Sequence, residues 1–257
     1  MRVLYDDIGI NYSSNRRTDS RIEEQLHAQL KGAKRIINIG AGTGSYEPKH
    51  IELVAVEPSS EMIAQRKEGS HPSVQAFVEA LPFENNSFTH GMAILSMHHW
   101  KDKERAFKEI NRVVTDRFVV LTWNPDAEPF WLTRDYFPEF HITDQSIFPS
   151  VDELKNYFEK VEVSPLLIPE DCQDGFMAAY WKRPEAYLNK KIRQSISAFS
   201  KITDPTTGLK QLEDDLTSGK WREKNQAILS QNVLDAGYVI ITAEVKVKID
   251  ANHLQIY

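Results

Sequence analysis

The sequence is short of several things, and each shortage closes off a class of function. It has one cysteine, Cys172, in 257 residues, which excludes an internal disulfide and most thiolate metal sites. No resident metal is expected. It has no excess of positive charge: 31 Lys and Arg stand against 37 Asp and Glu, a formal net charge of −6, and no basic stripe interrupts that balance. Proteins that grip nucleic acid through its phosphates carry such a stripe, so no nucleic-acid partner is expected. No apolar run approaches the roughly 18 residues of a membrane span. Near the start, Arg2, Asp6 and Asp7 break up anything resembling a signal peptide, and the cytoplasm is the default compartment. What is left is an ordinary composition, 41% hydrophobic and 26% charged, in a chain able to bury a sizeable core.

Against that plain background, residues 36–57 stand out. A short apolar run ends in Gly40-Ala41-Gly42-Thr43-Gly44, and a second one, Leu53 to Val56, closes on Glu57 and Pro58. This predicts a strand, a glycine turn, a crossover helix of no more than a turn or two, and a second strand. Glycines at alternate positions let the chain turn sharply and let a ligand approach the main chain. An acid at the tip of the following strand can accept both hydroxyls of a ribose. The dinucleotide fingerprint G-x-G-x-x-G needs glycine where this chain has Ser45, which argues against a nicotinamide oxidoreductase.

On the glycine turn and Glu57 the sequence resembles the class I S-adenosylmethionine-dependent methyltransferases, in particular the small-molecule, ubiquinone- and menaquinone-methylase-like type 11 group. Members usually carry an acid two residues before the first glycine, where this chain has Asn38, and a longer first helix. A second match is Glu79-Ala80-Leu81-Pro82-Phe83, at the loop where relatives hold the adenine ring. The resemblance implies S-adenosylmethionine as cofactor, with Gly40, Ala41, Gly42, Gly44, Glu57, Pro58, Glu79, Ala80, Leu81 and Ser96 around it. Met62 is expected in the core and can also touch the adenine. Tyr5, Tyr12, Arg16 and Arg17 fall where relatives have a lid over the cofactor, spanning 1–30, and Arg17 is placed against the methionine carboxylate; surface charges on an arm are the open alternative. Several thiols would be needed for arsenic methylation, which the lone cysteine disfavours.

The rest of the chain predicts an α/β fold: a doubly wound, mostly parallel seven-stranded sheet in one domain, with a helical cap over 169–237 inserted before a last, antiparallel strand. Strands are expected near 35–39, 53–56, 74–78, 89–95, 118–122, 161–168 and 238–247. Asp19 or Ser20 caps a helix with Ile22, Leu26 and Leu30 on one face, Ser59 or Ser60 caps one running to Gly69, and Asp102 caps one carrying Ala106, Phe107, Ile110, Val113 and Val114. The aromatic stretch 123–140 is expected either to wall the acceptor site or to cover the sheet edge. Asp174, Tyr180 and Trp181 read equally as acceptor contacts or as a cap and core.

Ser96 to Trp100 follow the fourth strand, and in open α/β sheets the ligand sits beyond the carboxyl ends of the strands. His98 and His99 therefore stand where a general base would act, one of them at most reaching the acceptor. Two functions are open at this point: methyl transfer to the O, N or C of a small-molecule acceptor by in-line displacement, or a non-catalytic S-adenosylmethionine or S-adenosylhomocysteine sensor on the same fold. A monomer or homodimer suits either.

Overall fold

The computed structural model describes residues 16–246, so Tyr5 and Tyr12 lie outside the described residues. One sheet of seven strands runs through it: β1 (Arg35–Ile39), β2 (Glu52–Val56), β3 (Ser73–Val74), β4 (Phe88–Ile94), β5 (Val114–Trp123), β6 (Phe158–Pro169) and β7 (Val233–Val245). Their order is β3-β2-β1-β4-β5-β7-β6. The strands β1 to β5 pair in parallel, and β7 is antiparallel to both β5 and β6. This is the expected doubly wound architecture. The sixth strand takes the edge beside β7, so its own pairing is antiparallel although it runs in the sense of β1.

Alternation along β1 explains the two layers. Ile36 points into one apolar cluster while Ile37 and Ile39 point into the other, because successive side chains leave opposite faces of a strand and a central parallel strand is covered on both. On the second face lies α3 (Lys103–Val113), started by Asp102, whose side chain accepts from Arg105 N, and burying Ala106, Phe107, Ile110 and Val113.

The first face differs from expectation. No helix joins β1 to β2; the intervening residues form turns. Cover comes instead from α1 (Ser20–Gln29), capped by Asp19, whose Ile22 and Leu26 pack with the fully buried Tyr46 in the same cluster as Ile36 and Leu53. His27 Nε2 meets Tyr46 O at 3.0 Å, tying helix to turn. The helix after β2, α2 (Ser60–Ala64), is capped by Ser59 and ends well before Gly69, and β3 keeps only two residues.

After β5 come α4 (Trp131–Asp135), α5 (Pro138–Ile147) and α6 (Val151–Lys155); after β6 come α7 (Lys190–Gln194), α8 (Thr206–Thr217), α9 (Lys220–Lys224) and α10 (Gln226–Leu229), with single 3-10 turns between. Trp131, Tyr136, Phe137 and Phe140 from the first group share one core with Trp181, Tyr187, Leu212 and Trp221 from the second. Trp131 Nε1 donates to Trp181 O at 2.8 Å, and Trp181 Nε1 to Ile168 O at 3.0 Å. The aromatics of 123–140 thus join the helices after β6 to the edge strand, and Trp181 is core.

Candidate functional site

A cavity of about 400 Å³ opens at the carboxyl ends of β1, β2 and β4. Its floor is the glycine turn. Gly40 and Gly42 have φ of +67° and +51°, a region that disfavours side chains. A Cβ on Gly40 would lie 2.5 Å from the Ser96 Cβ, and one on Gly42 would lie 3.2 Å from the Met62 methyl. The turn is held from both sides: Gly40 N and Ala41 N donate to Val56 O at 2.9 and 3.0 Å, and Ser96 Oγ donates to Ile39 O at 2.8 Å.

Glu57 closes one wall. Its Oε2 accepts from Gly42 N at 2.8 Å and its Oε1 from Ser59 N at 2.9 Å. Beyond it lie Pro58, Met62, Ala76, Phe77, Val78 and Glu79. Glu79 Oε1 accepts from Lys101 N and Asp102 N, and Lys101 Nζ lies 5.5 Å from the Phe77 ring centroid.

Asn38, where relatives carry an acid, is buried against this cavity. Its Nδ2 donates to Glu47 Oε1 at 2.9 Å, which fixes the amide's orientation because a carboxylate only accepts. Its Oδ1 is then a buried acceptor with no partner among the described residues. Glu47 in turn pairs with Arg66 at 2.7 Å, both side chains almost fully buried. Glu47, nine residues on, thus sits behind Asn38 without lining the cavity itself.

Above the turn, Leu95 holds φ of +50°, a strained conformation for a side-chain-bearing residue, and launches the 3-10 turn Met97–His99. Both histidines line the cavity, their ring centroids 3.8 Å apart, because a 3-10 turn, unlike a strand, does not alternate its side chains. His98 stacks on Phe148 at 4.3 Å. Burial, then the charges of His99 and Lys201, hold His98 well below the usual imidazole range; burial and Lys201 bring His99 down to about 4.

Of the residues picked from sequence, Gly40, Ala41, Gly42, Glu57, Pro58, Met62, Glu79, Ser96, His98 and His99 line the cavity. Four do not. Arg17 is exposed, and its neighbour Arg16 lines the cavity, bonded through Nε and Nη2 to the buried Asp174 at 2.6 and 3.2 Å. Gly44 backs onto the Glu47 and Arg66 pair. Ala80 is exposed, and Leu81 is buried in the lower core, its N donating to Glu109 Oε2 at 2.8 Å. The chain leaves the sheet after Val74, four residues sooner than expected, which puts Phe77 at the cavity in place of Leu81. Asp174 also accepts from Tyr46 Oη at 2.9 Å, so it ties Arg16 to the turn between β1 and β2. Only the lid reading pointed toward Arg16; nothing in the local pattern marked Phe77.

Among the described residues no helix is long and apolar enough to cross a membrane, and no group of three or more His, Cys, Asp or Glu is placed to hold a metal.

Residues 37–118 match the model of a methyltransferase domain. Among curated proteins, the chain is 25% identical over 173 residues to rice (Oryza sativa subsp. japonica) 2-methyl-6-phytyl-1,4-hydroquinone methyltransferase 2, chloroplastic, across 62% of this chain and 47% of that one. It is 28% identical over 171 residues to the uncharacterized methyltransferase YcgJ of Bacillus subtilis, across 62% and 60%. The chain thus spans about half the length of the curated relatives it matches. Among solved structures, an Anabaena variabilis protein assigned as a methyltransferase of an antibiotic biosynthesis pathway is 31% identical with a TM-score of 0.81, the match covering 89% of this chain and 98% of that one. Identity of that level over nearly all of both chains, on a glycine turn and reversed last strand of this kind, establishes that the chain belongs to the class I S-adenosylmethionine-dependent methyltransferases, in their type 11 group.

Proposed function

We propose that the protein transfers a methyl group from S-adenosylmethionine to a small molecule held beneath the cap. The observation that carries this reading is the cavity itself: its floor rejects a Cβ, one wall is a carboxylate, and its roof is a turn bearing two imidazoles.

The residues fit the donor. Asn38 Oδ1, buried and without a partner among the described residues, suits the ammonium of the methionine moiety. Glu57 suits the ribose hydroxyls, and Met62, Phe77 and Glu79 suit the purine, its faces against the apolar side chains and its edge toward the carboxylate. When bound, S-adenosylmethionine supplies a methyl carbon on a positively charged sulfur that leaves as a neutral thioether. The protein's task is then to hold the acceptor atom in line and keep water out. Arg16, bonded to Asp174, places a residue ahead of α1 against the cap and closes the site.

Burial holds both rings below the usual imidazole range, His99 at about 4. A depressed base is poorly matched to an acceptor proton at pH 7, so the two rings orient the acceptor and contribute little proton abstraction.

Incubation with methyl-labelled S-adenosylmethionine and a metabolite extract tests the reading: label enters an extract component. Retained binding of S-adenosylhomocysteine with no transfer to any component would return the chain to a sensor role.

A further inference from the structure

A second, smaller chamber of about 50 Å³ lies between the cavity and the cap, and it shares Arg16, Leu95 and His98 with the main cavity. An acceptor lined up with a donor in the main cavity has this recess beside it, so what lines the recess selects the acceptor. Charged groups reach it in pairs. Arg16 is bonded through Nε and Nη2 to the buried Asp174 at 2.6 and 3.2 Å, and Lys201 Nζ stands 3.6 Å from Asp144 Oδ1. Most of the remaining wall is apolar, from Phe148, Phe176, Met177, Ile196 and Ala198, and Ser195 spends its hydroxyl on Ile192 O at 2.7 Å.

Resting on the methyl-transfer reading above, we propose that the acceptor is an uncharged molecule that enters this chamber with a short apolar end, while its methyl-accepting atom stays beside the His98 and His99 rings.

Charge balance supports this first. An ionised acceptor would give up its water here and meet no unpaired counter-charge among the described lining groups. It would have to draw Arg16 from Asp174 or Lys201 from Asp144, and either step strands a buried partner. An uncharged acceptor meets neither cost and gains from apolar contact. Size supports it next. One water occupies roughly 30 Å³ in the liquid, so a chamber of about 50 Å³ admits a short alkyl group and not a ring or a long chain. The junction between the two spaces is of the same character. His98 stacks on Phe148 at 4.3 Å, and burial holds it well below the usual imidazole range, so the ring presents a flat, uncharged surface leading into the chamber at pH 7.

The test is binding, measured by ligand-observed NMR titration on the whole protein with S-adenosylhomocysteine bound. The probes share an isopropyl end and differ in charge: isobutyramide, isobutyrate and isobutylamine. The amide is expected to bind about tenfold or more tightly than either ion. Ala198→Met, which fills the chamber, should abolish amide binding. Asp144→Asn, which leaves Lys201 without its partner, should bring isobutyrate level with the amide or above it. S-adenosylhomocysteine affinity should stay unchanged in both variants, which shows that they fold. Either ion binding the native protein as tightly as the amide, no probe binding at all, amide binding that survives Ala198→Met, or a charge preference untouched by Asp144→Asn overturns the assignment. Failure of S-adenosylhomocysteine to bind the native protein overturns the methyl-transfer reading instead.

Discussion

Glu57 Oε2 accepts the amide hydrogen of Gly42 at 2.8 Å, so the acid that is offered to a ribose also ties the tip of β2 to the glycine turn. One side chain therefore shapes the floor of the cavity and equips its wall. Glu57→Gln loses the charge and turns one of the two acceptor oxygens into an NH2 that faces a backbone N–H, and is expected to weaken S-adenosylhomocysteine binding by about 1 to 3 kcal/mol. Calorimetry reads this directly, and unchanged affinity would place the ribose elsewhere.

The buried pair behind the turn behaves differently. Arg66 and Glu47 are almost completely withdrawn from solvent, and removing one member strands the other. Arg66→Ala is expected to destabilise the fold by about 3 to 5 kcal/mol, seen as an early thermal transition. Replacing both residues by apolar ones of similar volume should recover much of that loss, and failure to do so would mean that Asn38 depends on Glu47 for its place.

The two histidines couple stability to pH. Their folded-state pKa values lie below the ordinary 6.5, His99 at about 4, so the unfolded chain takes up protons first as pH falls. Their contribution is unaffected above about pH 6.5, and stability declines from there toward about pH 4. Comparing urea midpoints of the native protein and of a His98→Asn, His99→Asn double variant across that range should show a flatter dependence in the variant.

Replaced singly by Ala, His98 and His99 should leave donor binding intact. Turnover should fall by less than the roughly 100-fold that loss of a general base brings. A larger fall confined to one of them would restore proton abstraction as its role.

The cap offers a test independent of the donor site. A Cβ on Gly208 in α8 would lie 2.4 Å from Tyr136 O and 2.6 Å from Phe137 Cε1. Ala is worth about 1 kcal/mol over Gly in a helix, but overlap with backbone and a packed ring costs about 1 to 3 kcal/mol or more. Gly208→Ala should therefore lower the melting temperature while S-adenosylhomocysteine affinity holds; a rise in melting temperature would show the cap to be loosely seated.

What the sequence determined by itself is whatever depends on neighbours along the chain. The β1 and β2 strands, the glycine turn, Glu57 at the strand tip and the caps at Asp19, Ser59 and Asp102 are local: period, capping chemistry and backbone freedom act within a few residues. The family resemblance added the reversed last strand. What only the tertiary structure decided depends on residues far apart. Tyr46 replaces a crossover helix because α1 folds back over it, Arg16 and not Arg17 faces the cavity because Asp174 lies 158 positions away, and Lys201 reaches the chamber only once the insert has packed on Trp131. Such contacts are selected by packing of the whole chain, and no window of sequence contains both partners.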